Sequence, residues 1–197
     1  MIACEDTRRT RALLAHFDIH TPTTSYFEHN KLVKGRDLLR QLEEGRAVAL
    51  VTDAGTPGIS DPGFLLVRDA RARGIRVVPV PGPSALIAAL SAAGVPAGGF
   101  VFDGFLPIKP GRRRNRLTAL RALETTIVLY ESPHRVVATL EAIREVFGDA
   151  ELVVARELTK QFEEIVHGPP ARLREHFARG PARGEFTLVI PYTRRPC

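Results

Sequence analysis

The chain is poor in the residues that build covalent staples, thiolate metal sites and membrane anchors. Of its 197 residues two are cysteine (Cys4 and Cys197), one is methionine and none is tryptophan. Two distant thiols without a partner pattern exclude a disulfide framework and point to a reduced, cytoplasmic setting. No pair of histidines has metal-ligand spacing, and neither a Gly-x-Ser-x-Gly elbow nor a Gly-Lys-Ser/Thr phosphate loop is present. Hydrolysis by metal or serine and Walker-type nucleotide binding therefore have no support, and no metal is expected. Apolar residues come in short runs broken by charge, Gly or Pro, which excludes a membrane-spanning helix. The opening Met1-Ile2-Ala3-Cys4-Glu5-Asp6 lacks the basic and apolar regions of a secretory signal. Heptads, tandem repeats and low-complexity segments are also missing.

What is present is a globular composition, with 44% hydrophobic and 25% charged residues. A chain of this length hides roughly 70% of its unfolded surface, enough for one sizeable core or two small domains. The net charge is +6, carried by 24 arginines and 4 lysines. Arginine presents a fixed fork to phosphate, so the excess fits a polyanionic partner, although coding bias toward arginine gives the same composition.

Hydrophobic spacing predicts helices over Thr7 to Phe17 and from about Leu32 to Gly45, followed by an apolar strand at Ala47 to Val51. A short strand is expected at Thr23 to Phe27. Next come a Gly/Pro loop, a helix from about Asp61 to Arg73, a second apolar strand at Ile75 to Val80, and a helix over Ser84 to Ala93. Strands that are apolar on both faces and alternate with helices indicate a parallel sheet covered on two sides. The small Val95 to Gly99 segment is the best linker, giving expected domains at 1–95 and 96–197. Beyond it, strands are expected at Phe100 to Leu106, Thr126 to Tyr130, Leu152 to Arg156, Glu164 to His167 and Phe186 to Ile190. Helices are expected near Arg116 to Leu123, Arg135 to Phe147 and Ala171 to Phe177. Both halves are therefore α/β.

Two turns stand where α/β proteins hold ligands. The run Asp53-Ala54-Gly55-Thr56-Pro57-Gly58-Ile59-Ser60-Asp61-Pro62-Gly63 leaves the carboxyl end of an apolar strand and enters a helix. Glycines there let a ligand approach the backbone, and the helix start offers free amide protons. Pro81-Gly82-Pro83-Ser84-Ala85 repeats the arrangement, with Ser84 placed to cap its helix. A tight strand-to-helix connection is the plain alternative for either turn alone; two at neighbouring strand ends make opposite walls of one cleft.

Lys109, Arg112, Arg113, Arg114 and Arg116 put five cations within eight residues around a Pro-Gly turn. Such a cluster repels itself unless an anion joins it, and cations at a helix start oppose its dipole, so phosphate binding is favoured over a solvated helix start. Arg8, Arg9 and Arg11 form a second cluster, for which a solvated helix face serves as well. His134, His167, Glu163 and Glu164 read as structural or solvated groups.

Seven segments stand out along the chain: Cys4-Glu5-Asp6-Thr7-Arg8-Arg9-Thr10, Ser25-Tyr26-Phe27-Glu28-His29-Asn30, the Asp53 to Gly63 loop, Pro81 to Ala85, Phe102-Asp103-Gly104-Phe105-Leu106-Pro107, Tyr130-Glu131-Ser132-Pro133-His134-Arg135 and Arg156-Glu157-Leu158-Thr159-Lys160. By these the sequence resembles the tetrapyrrole methylase superfamily and, within it, the ribosomal RNA small subunit methyltransferase I family. The resemblance covers nearly the whole chain. It implies two α/β domains with a donor cleft between them, S-adenosylmethionine (SAM) as cofactor, and 2′-O-methylation of a cytidine ribose in 16S rRNA of the 30S subunit. Donor contacts implied by position are Ala54, Gly55, Thr56, Ile59, Ser84, Ala85, Tyr130 and Leu158. A homodimer is also implied. Members usually begin further upstream, with a strand and a Pro-Ile-Gly-Asn-type loop, and extend further downstream, so a first strand, a helix and one wall of the donor site are expected to be missing here.

Methyl transfer from a sulfonium to a hydroxyl is an in-line displacement, and positioning alone is worth on the order of 7 to 11 kcal/mol. A base or cation beside the developing alkoxide adds to it. Asp6 is the expected base or orienter and Lys160 the expected cation. Lys109, Arg112, Arg113, Arg114, Arg116, Arg8 and Arg9 are the expected RNA contacts. Three to five neutralised phosphates of a single strand predict a log K against log salt slope of roughly −2 to −3.5. Two other readings are a methylase of a tetrapyrrole or other small acceptor, and an inactive RNA-binding module.

Overall fold

A computed structural model describes residues 1–192; Cys197 lies outside them. The chain divides into two compact units, 1–84 and Ala85 onward. This division precedes the expected 95/96 boundary by one helix. That helix, α4 (Ala85–Ala93), packs Leu86, Ala89, Leu90 and Ala93 against sheet residues Val128, Val153, Ala155 and Val189 of the second unit. Its apolar face belongs where that sheet supplies apolar area to cover it.

The first unit is built on a parallel three-stranded sheet, ordered β2 (Thr23–Ser25), β1 (Ile2–Cys4), β3 (Ala49–Val51). Helices α1 (Thr7–His16), α2 (Lys31–Glu43) and α3 (Phe64–Ala72) complete it. Ala3, Tyr26, Leu38, Leu39, Leu66 and Ala70 make its core. Leu13 and Phe17, apolar at helical spacing on α1, remain exposed, and the helix buries Thr10 instead.

The Ile75 to Val80 run, expected as a strand, is unpaired among the described residues. Ile75 packs on the core, but Val80 is 84% exposed. A valine-rich run becomes a strand only when a neighbour supplies hydrogen bonds and a covered face; among the described residues no strand pairs with this one, and Val77, Val78 and Val80 are exposed.

The second unit has a mixed five-stranded sheet. Its order is β4 (Phe100–Phe105), β5 (Thr126–Glu131), β8 (Phe186–Ile190), β6 (Leu152–Arg156), β7 (Glu164–Gly168). Only β4 and β5 run parallel; β8 is antiparallel to both its neighbours. Helices α5 (Pro110–Arg121), α6 (Val136–Phe147) and α7 (Pro170–Ala178) cover one face with Leu117, Leu120, Leu140, Ile143, Leu173 and Phe177. Covering both faces explains why β5, β6 and β8 are apolar at successive positions rather than alternately. Among the described residues no helix is long and apolar enough to cross a membrane, and no cluster of His, Cys, Asp or Glu is arranged to hold a metal.

Candidate functional site

In the first unit, the carboxyl ends of β1 and β3 are tied together. Thr52 Oγ1 donates to Glu5 Oε2 at 3.3 Å, and the Asp6 amide donates to Asp53 Oδ1 at 3.3 Å. The Arg9 guanidinium lies 3.4 Å from Asp53 Oδ2. The loop that follows β3 folds back on itself: a Cβ on Gly63 would lie 3.0 Å from the Gly58 amide nitrogen, so only glycine permits this approach. Gly55, at φ +73°, needs glycine for conformation instead, and a Cβ there would meet open space. Thr56 Oγ1 donates to the Pro83 carbonyl at 3.0 Å, joining the two expected ligand turns by a side-chain to main-chain hydrogen bond. Ile59, within the first turn, is exposed. This glycine-opened backbone beside a hydroxyl and an exposed apolar side chain fits an adenosyl group, whose polar edge and flat faces need both.

Asp6 caps α1, accepting from the Arg8 amide at 2.8 Å, and its other oxygen holds the Arg8 guanidinium at 2.7 Å. The Arg8 side chain, together with that amide, holds the carboxyl well below the usual carboxylate range. Arg8 is held cationic by the same contact. Arg11 Nε donates to Thr23 Oγ1 at 3.1 Å, so each arginine of this cluster has a protein partner.

In the second unit, Tyr130 and Leu158 share one packed face with α4, alongside Phe102 and Val95. The Tyr130 hydroxyl accepts from the Leu86 amide at 3.2 Å and so satisfies one of the free N–H groups at the start of α4. Leu158 is flanked by Glu157 at φ +52° and Thr159 at φ +69°. Left-handed backbone on a glutamate and a β-branched threonine persists only where surroundings hold it. Here they do: Lys160 Nζ bridges Glu157 Oε1 at 2.8 Å and Glu185 Oε2 at 3.0 Å, and the Thr159 amide donates to Glu163 Oε2. The lysine keeps Glu157 below its ordinary range, and Glu157 in turn raises Lys160. Glu164 pairs with His176 at 2.6 Å and Arg156 at 3.5 Å. Glu163 stays exposed, as a solvated charge would, while accepting from the Thr159 amide four residues away; Glu164 is structural, and its partners come from β6 and α7 and leave no local signal.

The basic run lies on the first turns of α5 rather than in a loop. Pro110 is the first helical residue, where its missing N–H costs nothing. Arg113 is buried at 6% exposure, donating to Thr139 Oγ1 at 3.2 Å and to the Ile108 carbonyl at 3.0 Å. Arg114 pairs with Glu145 at 3.3 Å. Arg116 is bidentate to Asp103, which a register shift in β4 between Phe102 and Gly104 turns toward it. Lys109 and Arg112 are exposed.

A family model described as tetrapyrrole (corrin/porphyrin) methylases matches residues 1–174. The chain is 51% identical over 193 residues to "Ribosomal RNA small subunit methyltransferase I" of Xylella fastidiosa (strain Temecula1). It is 49% identical to the protein of that name from Pseudomonas aeruginosa. Each alignment takes in 96% of this chain, and 71% and 68% of the two relatives. The fold is similar to that of uroporphyrin-III C-methyltransferase from Thermus thermophilus in complex with S-adenosylhomocysteine (TM-score 0.61, 17% identity, 95% of this chain and 84% of that one). At that identity the likeness concerns fold alone. From the matched model and the shared residues, the chain belongs to the tetrapyrrole methylases and, within them, to the ribosomal RNA small subunit methyltransferase I family.

Proposed function

We propose that this chain is a SAM-dependent methyltransferase acting on the 2′-hydroxyl of a cytidine in 16S rRNA. The observation that carries the reading is the 51% identity, over nearly the whole chain, to a relative named for methylating small-subunit rRNA. The donor, when bound, supplies an electrophilic methyl group on its sulfonium. Its contacts are assigned to Ala54, Gly55, Thr56, Ile59 and Ser84 of the first unit and to Ala85, Tyr130 and Leu158 of the second. The open backbone at Gly55 and the Leu158 turn held by Glu157 and Lys160 support that assignment.

Of the two roles expected for Asp6, its depressed pKa favours orienting over proton abstraction. A carboxylate that gives up its proton so readily is a weak acceptor for one from a ribose hydroxyl. Lys160 is assigned to holding the 157–160 turn, because two carboxylates already share its charge. Lys109 and Arg112 are the foremost RNA contacts; Arg114, Arg116, Arg8 and Arg9 reach phosphate by exchanging a carboxylate partner, and Arg113 acts from beneath. A homodimer in the cytoplasm is the accompanying assignment, checked by sedimentation and fractionation.

The test is transfer of tritiated methyl from SAM to 30S subunits, with the modified nucleoside identified after nuclease digestion, run beside a version extended at its N-terminus. Label in 2′-O-methylcytidine is the expected result. Label on a tetrapyrrole and none on subunits selects the small-acceptor methylase. Calorimetry without SAM binding but with retained RNA affinity selects the inactive module.

A further inference from the structure

Beneath the turn that follows β4 lies a buried polar cluster that the proposed chemistry does not use. Glu131, its side chain fully shielded, accepts from Thr139 Oγ1 at 2.6 Å and from the Ser132 amide at 2.8 Å, and pairs with Arg135 at 3.3 Å. Thr139 Oγ1 also accepts from Arg113. Both guanidinium groups then donate to main-chain carbonyls of the turn, Arg113 to Ile108 and Arg135 to Leu106. A buried carboxylate with two guanidinium groups is no gain in stability over well-packed apolar side chains. What it does provide is a turn held at two carbonyls from inside.

Phe105, the last residue of β4, is 52% exposed and Ile108 in the turn is 75% exposed, followed by exposed Lys109 and Arg112. Phe105 is seated rather than loose: its ring stands edge-on to Tyr130 at 6.0 Å, and Tyr130 stands edge-on to Phe102 at 4.8 Å. Two apolar side chains are far too few for a protein interface, which takes about 800 Å² per partner. A half-exposed aromatic ring followed within seven residues by two exposed cations, on a turn tied at two carbonyls, suits a single nucleic acid strand, which offers bases to stack and phosphates to pair.

We propose that Phe105 is a stacking platform for a base of single-stranded RNA, with Lys109 and Arg112 taking adjacent phosphates and the Glu131, Thr139, Arg113 and Arg135 cluster holding the turn in place. The proposal rests on the rRNA reading and says how that substrate is gripped.

The experiment measures affinity for oligocytidylate and for an abasic ribose-phosphate chain of the same length. Wild-type protein is expected to prefer oligocytidylate. Phe105→Ala should weaken oligocytidylate binding roughly fivefold or more, while leaving the abasic chain and the salt slope unchanged. Phe105→Tyr should restore the preference. Lys109→Ala and Arg112→Ala should weaken both ligands alike and reduce the slope by about 0.7 each. Thr139→Val, checked for folding by circular dichroism, should reduce the preference; an unchanged preference overturns the role of the cluster. Preference retained in Phe105→Ala, or lost equally from both ligands, overturns the platform. Failure of wild-type protein to bind either ligand overturns instead the RNA-binding reading beneath it.

Discussion

The carboxylate of Glu157 occupies the space that any side chain at residue 184 would need. A Cβ on Gly184 would lie 2.6 Å from Glu157 Oε1 and closer still to Cγ and Cδ, and Gly184 sits at φ +86°. Both constraints act on one residue, and Glu157 also accepts from the Glu185 amide at 3.0 Å. Gly184→Ala should therefore lower stability by about 1–3 kcal/mol through overpacking and left-handed backbone. Urea denaturation checks this. If Leu158 touches the donor, the same variant raises the KM for SAM more than it lowers kcat.

Asp6 carries a pH prediction. Its folded pKa lies below the unfolded value near 3.9, so the stability it contributes is complete above about pH 5 and is lost as pH falls toward the folded value. The stability difference between wild type and Asp6→Asn should be constant from pH 5 to 8 and shrink in stronger acid. Methyl transfer by the two proteins should show parallel pH profiles over pH 5 to 9, since this carboxyl does not titrate there. An acidic limb lost in Asp6→Asn would make it the base after all.

The α5 cations should separate by partner. Lys109 and Arg112 contribute about −1.4 to the salt slope for single-stranded RNA, shallower than the −2 to −3.5 expected from the whole run, and an arginine that exchanges a carboxylate for a phosphate adds little because the freed carboxylate takes up a cation. Arg114→Ala and Arg116→Ala should change the slope by less than Arg112→Ala does, because each already faces a carboxylate. Filter binding across a salt series gives the answer.

Breaking the buried cluster should be felt throughout the second unit. Glu131→Ala leaves the Arg135 guanidinium without its carboxylate and the Thr139 hydroxyl without its acceptor, and should cost about 3–5 kcal/mol. Thr139→Val removes one hydroxyl at constant shape and should cost about 1–3 kcal/mol. Thermal unfolding followed by circular dichroism ranks the two.

Much of this architecture is written locally. The helix over Val136–Phe147 and the strands at Leu152–Arg156 and Phe186–Ile190 follow from apolar spacing and length. The start of α5 does not, because Pro110-Gly111 is as good a turn signal as a helix opening, and packing of Leu117 and Leu120 decides for the helix. Ile75 to Val80 shows the converse case, strand-like residues with nothing to pair with. At the candidate site, the glycine turns are legible by position. The partners of Asp6 and Lys160 are legible only in part: Arg8 and Glu157 are local, but Glu185 comes from a segment 25 residues away.

The central place of β8 has a temporal consequence. Although last in order among the described strands, it is the strand through which β6 and β7 are joined to β4 and β5. During synthesis, the β6–β7 hairpin must therefore wait beside an unfilled gap until Phe186–Ile190 leaves the ribosome. Premature termination before residue 186 would leave two apolar strand edges facing each other with nothing between, a species suited to aggregation rather than to partial function.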